Sequence, residues 1–232
     1  MNAAAPLLRV EGMSIRRGGR ALLDDVSFSA RKGEIVGIIG PNGAGKTTLF
    51  ESIIGLLSGA RGRVSLEPAL PIRKALFYLP DAIRPWEEQR AGWCLDFFAR
   101  LFGGPRDGEA IEALQLEHLL AQRVGSLSKG ETKRVALALA LGTPQPILLL
   151  DEPFDGLDFR QTRRAMELLR ARASAGRTLV LSIHQLVDAA RVCDRFLLLD
   201  HGRAIAEGSL QELRARAGQA EATLEEVFLA LE

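Results

Sequence analysis

Gly40-Pro-Asn-Gly-Ala-Gly-Lys-Thr-Thr48 is the stretch on which the reading of this chain turns. It fits G-x-x-x-x-G-K-T, with Gly40, Gly45, Lys46 and Thr47 at the fixed positions. The apolar run before it, Glu34-Ile-Val-Gly-Ile-Ile39, reads as a buried strand; Leu49-Phe-Glu-Ser-Ile-Ile-Gly-Leu-Leu57 after it reads as a helix. That strand–loop–helix context separates a phosphate-binding loop from a glycine-rich turn that binds nothing. Glycines let successive N–H groups point inward as a nest for phosphate oxygens, and the start of a helix adds unpaired N–H groups and partial positive charge. Gly40, Pro41, Asn42, Gly43, Ala44, Gly45, Lys46, Thr47 and Thr48 are therefore expected to cradle a nucleotide. Lys46 should reach the β- and γ-phosphates, and the Thr47 hydroxyl should ligate Mg2+.

Outward from the loop, the chain reads as one large soluble domain. Its 232 residues are 47% hydrophobic and 25% charged, ordinary for a globular protein. A net charge of +1 gives no electrostatic case for nucleic acid. Cys94 and Cys193 lie far apart and read as reduced, partly buried thiols. The leading Met1-Asn-Ala-Ala-Ala-Pro-Leu-Leu-Arg9 lacks the pattern of a signal peptide. No apolar run reaches the length of a membrane span, so no direct membrane insertion is expected.

Residues 7–13, 23–29 and 34–39 read as strands, the first two as an antiparallel pair, followed by short strands at 63–66 and 75–79. Residues 81–126 change character: helices over 86–102 and 108–120 with a Gly-Gly-Pro break between them imply an inserted helical lobe. Residues 127–142 begin with a polar turn and continue as a helix rich in Ala and Leu. Strands at 147–150, 178–182, 195–200 and 203–206 then alternate with helices at 159–173 and 186–192, and residues 209–232 read as helical. This alternation implies an α/β core with a mostly parallel sheet covered on both faces.

Pro146-Ile-Leu-Leu-Leu-Asp-Glu152 is an apolar strand ending in adjacent carboxylates. A strand buried on both faces needs a use for two acids at its end. Beside a phosphate loop that use is metal and water: Asp151 to hold Mg2+, Glu152 to accept a proton from, or orient, the attacking water. His184 ends the next strand, on the edge where ligands gather in open α/β sheets; hydrogen bonding to a γ-phosphate and water is its expected role. Leu127-Ser-Lys-Gly-Glu131 opens a helix, so its N–H groups and the Ser128 hydroxyl form a second anion site. Two copies placed head to tail would use both sites, each closing the nucleotide of the other.

In this order the motifs resemble those of the ATP-binding-cassette (ABC) ATPases, over essentially the whole chain. Residues 40–48 resemble the Walker A motif and 147–152 Walker B. Residues 127–131 are similar to the signature written LSGGQ, Phe154-Asp-Gly-Leu-Asp158 to the D-loop, and Ser182-Ile-His184 to the switch histidine. The resemblance implies a P-loop NTPase (RecA-like) core with an antiparallel β side sheet and an inserted helical subdomain. In this division residues 1–80 and 143–232 form the nucleotide-binding core, and 81–142 the helical subdomain. It implies ATP and Mg2+ as cofactors and ATP hydrolysis with Lys46, Glu152 and His184 at the reaction. Across a dimer seam, Ser128, Gly130 and Asp158 would reach the nucleotide of a second cassette, most simply a copy of this chain. A separate transmembrane permease would hold the protein at the inner face of the cell membrane.

Three positions depart from the family pattern. Where an aromatic often stacks on adenine, Ser14-Ile-Arg-Arg-Gly18 offers Arg17, which can stack by its guanidinium plane or stand exposed. Where a glutamine follows Tyr-x-Pro, Tyr78-Leu-Pro-Asp81 places a carboxylate, expected to face the metal or its water. Lys129 and Glu131 replace Gly and Gln in the signature; Lys129 points either to solvent or to the phosphate. Trp86, Trp93, Phe97, Phe98, Leu101 and Phe102 cluster in the helical lobe, mainly as its core, with one or two lining a groove that accepts a partner's helix. Phe97-Phe-Ala-Arg-Leu-Phe-Gly103 and the terminal Thr223-Leu-Glu-Glu-Val-Phe-Leu-Ala-Leu231 are similar to ATPase subunits of the ABC-2 exporter type. The alternatives are a soluble ABC ATPase acting on nucleic acid or a protein assembly, and a regulatory cassette that binds ATP with little hydrolysis.

Overall fold

The computed structural model describes residues 6–84 and 86–232; residues 1–5, where the chain start was read, and Pro85 lie outside it. In chain order, β1 (Pro6–Arg17), β2 (Arg20–Arg31) and β3 (Ile35–Ile39) lead into α1 (Lys46–Ile53). Next come β4 (Arg61–Leu66), the single turn α2 (Ile72–Ala75) and β5 (Leu76–Leu79). The helices α3 (Ala91–Leu101), α4 (Gly108–Ala113) and α5 (Lys129–Leu141) follow. The chain then runs β6 (Ile147–Asp151), α6 (Phe159–Ser174), β7 (Thr178–Ile183), α7 (Leu186–Val192), β8 (Arg195–Asp200) and β9 (Arg203–Gly208). It ends in α8 (Leu210–Ala217) and α9 (Leu224–Leu231).

The main sheet has the order β5-β6-β7-β3-β8-β9, parallel except for the antiparallel edge strand β9. A second sheet, β2-β1-β4, is antiparallel. Both the α/β core and the antiparallel side sheet agree with the sequence reading. Strand alternation sends side chains to opposite faces, and the two faces carry separate cores. Ile35 and Ile39 of β3 and Leu148 and Leu150 of β6 join the core beneath α5, α6, α7 and the terminal helices. Val36, Ile38, Ile147 and Leu149 join the core shared with α1 and the side sheet. A strand buried on both faces must be apolar at every position, which β3 and β6 are until Asp151. The apolar side of the helical region (Ala91, Leu95, Leu114, Leu119, Leu127) is continuous with the first of these cores.

Four helical expectations shorten, each for a local reason. The helix after the phosphate loop stops at Ile53, and Gly55 at φ 75° turns the chain away. The helix expected over 86–102 begins only at Ala91, because Trp86 takes a positive φ of 50° within a turn. The helix expected over 108–120 ends at Ala113. The buried Arg134 guanidinium draws off the Leu114 and Gln115 carbonyls (2.6 and 3.0 Å), and Gln115 sits at φ 53°. The terminal helix splits at Gly218, left-handed at φ 68°, and restarts on a Thr223–Glu226 capping box. Conversely, the first hairpin is longer than expected. Gly18 and Gly19, at φ 55° and 79°, supply the two-residue turn that carries pairing out to Arg17–Arg20.

Candidate active site

The side-by-side order β6-β7-β3 brings three carboxyl strand ends together, and each delivers one part of the site. From β3 the chain enters the phosphate loop. Gly45 is left-handed at φ 107° and caps α1; Gly43 is at φ 85°. A Cβ on Gly40 would fall onto the Leu199 carbonyl oxygen of β8, so only glycine lets the loop leave the sheet at this point. Lys46 is buried and folds back over the loop, its Nζ donating to the Gly40 and Pro41 carbonyls at 2.8 and 3.3 Å. The same Nζ lies 3.6 Å from Glu152 Oε1.

From β6 come the two carboxylates, which separate in role by burial. Asp151 is 1% exposed. Thr47 Oγ1 donates to its Oδ2 at 2.7 Å, Tyr78 Oη lies 3.4 Å from the same oxygen, and Ser182 Oγ makes a very short hydrogen bond to Oδ1. Burial, then the negative charge of Asp151, holds the Tyr78 phenol well above its usual range, so it stays a neutral donor. Glu152 is turned out of the strand by a left-handed backbone, φ 48°, held by its N–H on Ser182 O and Oγ (3.2 and 3.0 Å). Such a conformation costs a non-glycine residue on the order of 1 kcal/mol and persists where neighbours enforce it. Its result is that the Glu152 carboxylate sits between two cationic or proton-bearing groups, Lys46 Nζ and His184 Nδ1, the latter 2.7 Å from Oε2. His184, just past β7, is exposed.

Thr47 and Asp151 thus place a hydroxyl and a carboxylate at the mouth of a glycine-built cradle. Hard oxygens in small number beside phosphate are the donor set Mg2+ takes. Among the described residues there is no cluster of three or more His, Cys, Asp or Glu that could hold a metal. Beside the loop, a cleft of about 280 Å³ runs between Gly40, Pro41 and His184 on one side and Glu225, Phe228 and Leu229 of α9 on the other.

Five expected residues stand apart from this constellation. Arg17 is exposed at the tip of the first hairpin. Ser128 is the exposed N-cap of α5, its Oγ accepting from Glu131 N–H while Glu131 Oε2 accepts from Ser128 N–H. That pairing holds the Glu131 carboxyl below its usual range. Asp158 is the exposed N-cap of α6. Asp81, expected to face the metal, instead has its Oδ1 on Lys133 Nζ at 2.7 Å, while the same ammonium takes its backbone carbonyl at 2.8 Å. The lysine engages one carboxylate oxygen of an acid whose side chain is 41% exposed. Gly130 packs under the loop after β6, where a Cβ would come 2.5 Å from the Gly156 carbonyl oxygen. Lys129 points to neither solvent alone nor phosphate: its Nζ binds Asp155 Oδ2 at 2.5 Å.

Sequence reasoning missed Ser182, Tyr78 and Lys133 as parts of the site. Ser182 was legible in hindsight as the only hydroxyl in a strand otherwise apolar after Thr178, level with Asp151 in the parallel register.

A family model described as ABC transporter matches residues 23–155. The hemin import ATP-binding protein HmuV of Pseudomonas aeruginosa is 36% identical over 89% of this chain and 88% of its own length. The chain belongs to the ABC transporter family. The doxorubicin resistance ATP-binding protein DrrA of Mycobacterium tuberculosis is 34% identical over 87% of this chain and 65% of its own. Among solved structures, one described as the ATP binding subunit of an ABC transporter matches 97% of the chain at 31% identity, with a TM-score of 0.89. A bacterial Atm1-family ABC exporter with ATP bound matches at 25% identity and a TM-score of 0.82, over 42% of that longer chain. This protein is accordingly the ATP-binding, ATP-hydrolysing subunit of an ABC transporter. Among its described residues no helix is long and apolar enough to cross a membrane.

Proposed function

We propose that the chain powers an exporter, working as a pair of cassettes beneath a separate permease at the inner face of the cell membrane. The observation that carries the hydrolytic part is the Glu152 carboxylate held between Lys46 and His184 at the rim of the phosphate loop. On ATP binding, Lys46 leaves the loop carbonyls for the β- and γ-phosphates. Glu152, freed of Lys46, accepts a proton from the attacking water, and His184 donates a hydrogen bond at the γ-phosphate. Thr47 and Asp151 would hold Mg2+, which would offset the negative charge of the phosphates. Arg17 at the hairpin tip is free to stack on adenine.

The exposed Ser128 N-cap, Gly130 and the exposed Asp158 are the groups of one copy that close the nucleotide of the other, so two ATP bind in a homodimer. Residues 81–142 then act as the lobe that presents them. Its outward apolar residues, with Trp93 and Phe97 stacked at 5.1 Å, face the permease. Export rests on the likeness of the 97–103 and 223–231 stretches to exporter subunits and on relatives such as DrrA and the Nod factor export protein of Ralstonia nicotianae, 32% identical. The likeness to HmuV favours import as the second reading. Reconstitution with the permease in vesicles decides: ATP supplied on the cassette side should drive cargo away from that side. Accumulation on the cassette side would replace export by import, and absence of co-purification with any membrane subunit would remove the transport role.

A further inference from the structure

Helix α5 carries lysines one turn apart, and each reaches an acid on a different loop at the carboxyl edge of the sheet. Lys129 meets Asp155 after β6, and Lys133 meets Asp81 after β5. The two pairs differ in weight. Lys129 is 65% exposed and its pair belongs to the class of surface contacts worth little. Lys133 is 5% exposed, and the ammonium has two partners, both from Asp81. A buried ammonium whose carboxylate is removed is left uncompensated, and that is strongly destabilising. Asp81 lies two residues past the end of β5, whose last pair, Leu79 with Leu150, is one residue short of Asp151 at the carboxyl edge of the sheet. A bare carboxylate there would repel a nucleotide's phosphates.

We infer that Asp81 and Lys133 act as one positioning unit, in which Lys133 cancels the Asp81 charge beside the phosphates and fastens the loop after β5 to the signature helix. In this unit the partner of the Asp81 carboxylate is the Lys133 ammonium rather than a metal ion. The arrangement lets an acid occupy this loop without opposing ATP, and it makes the loop and α5 move together. The inference rests on the nucleotide site and is independent of the export reading.

The test is a double-substitution cycle on the full chain: K133Q, D81N, D81N/K133Q and K133R, each measured for ATP binding with Mg2+ and with EDTA, and for unfolding in urea. K133Q should weaken ATP binding in both conditions, on the order of tenfold for one uncancelled negative charge facing the phosphates. D81N/K133Q should return to within about threefold of the unaltered protein, and K133R should match it. In urea the two substitutions should be coupled, with the double variant more stable than the product of the singles predicts. A double variant as weak as K133Q, or unfolding effects that simply add, overturns the unit. A D81N protein that loses affinity with Mg2+ but not with EDTA overturns it too, by showing Asp81 to be a metal ligand. If the unaltered protein bound no ATP, the nucleotide site would fail while the urea cycle still decided the pair.

Discussion

His184 Nδ1 lies 2.7 Å from one oxygen of Glu152 while Lys46 Nζ lies 3.6 Å from the other. The carboxylate is thereby fixed from two strand ends at once, by the residue that follows β7 and by the first turn of α1. It is aimed by a backbone that only its neighbours make tolerable: the φ of 48° is held by two bonds to Ser182.

The first prediction follows from that placement. Glu152→Gln keeps the shape and one acceptor oxygen and removes the proton acceptor. Turnover should fall by about 100-fold or more, while ATP binding persists and the ATP-bound pair of cassettes becomes longer-lived. Single-turnover hydrolysis and gel filtration with ATP check this. Near-normal turnover in the variant would remove Glu152 as the base.

Ser182 carries the second. Its hydroxyl donates to Asp151 and accepts from Glu152 N–H, so Ser182→Ala leaves a buried carboxylate oxygen and an N–H with weaker satisfaction. The expected loss is about 1–3 kcal/mol in urea unfolding, with turnover reduced more than ATP affinity because both acids lose their anchor. A loss of stability with no change in turnover would show Ser182 to be structural only.

The parts of this site that were legible in the sequence are those fixed by local chemistry. Gly40, Gly45, Lys46 and Thr47 follow from one turn, and Asp151 and Glu152 from acids at the end of an apolar strand. What stayed hidden required pairing across the chain. Lys133 reads as an ordinary polar helix residue until β5 places Asp81 against it. The orientation of Glu152 depends on a serine in a different strand. The helix expected through residue 120 reads smoothly by periodicity, and it ends because Arg134 claims its carbonyls. The expected aromatic core of the lobe divides: Trp93 and Phe97 stack near the surface rather than inside.

The signature box makes a pH prediction. The Ser128 backbone N–H, then its hydroxyl, hold the Glu131 carboxyl below its ordinary value of 4.5. A depressed folded value means the box stabilises fully above that ordinary value and is lost as pH falls through the folded one. Glu131→Gln should therefore be less stable than the unaltered protein at neutral pH, and the gap should narrow steadily below pH 4.5. Urea midpoints over that range read it. A gap that stays constant in acid would place the effect elsewhere.

Arg177 supports the last prediction. It lies just before β7 and donates to the Leu141 carbonyl at 2.5 Å, the Gln145 carbonyl at 2.9 and 3.2 Å, and Thr143 Oγ1 at 3.2 Å. Burial, helped by the nearby positive charge of Arg172, pushes its guanidinium down to about 10, a measure of how far it has left water. These carbonyls belong to the end of α5 and the connection to β6, so one side chain sets the distance between the signature helix and the strand bearing Asp151. Lysine has the charge but not the planar fork, and cannot serve all these acceptors from one point. Arg177→Lys should cost roughly 2 kcal/mol, since buried carbonyls lose their donors. The urea midpoint should drop with an unchanged slope. Because the displaced connection ends at the strand bearing Asp151, turnover should fall alongside stability even at temperatures where the protein stays folded. A variant that unfolds earlier but hydrolyses ATP normally while folded would show that the connection adjusts without moving Asp151 and Glu152.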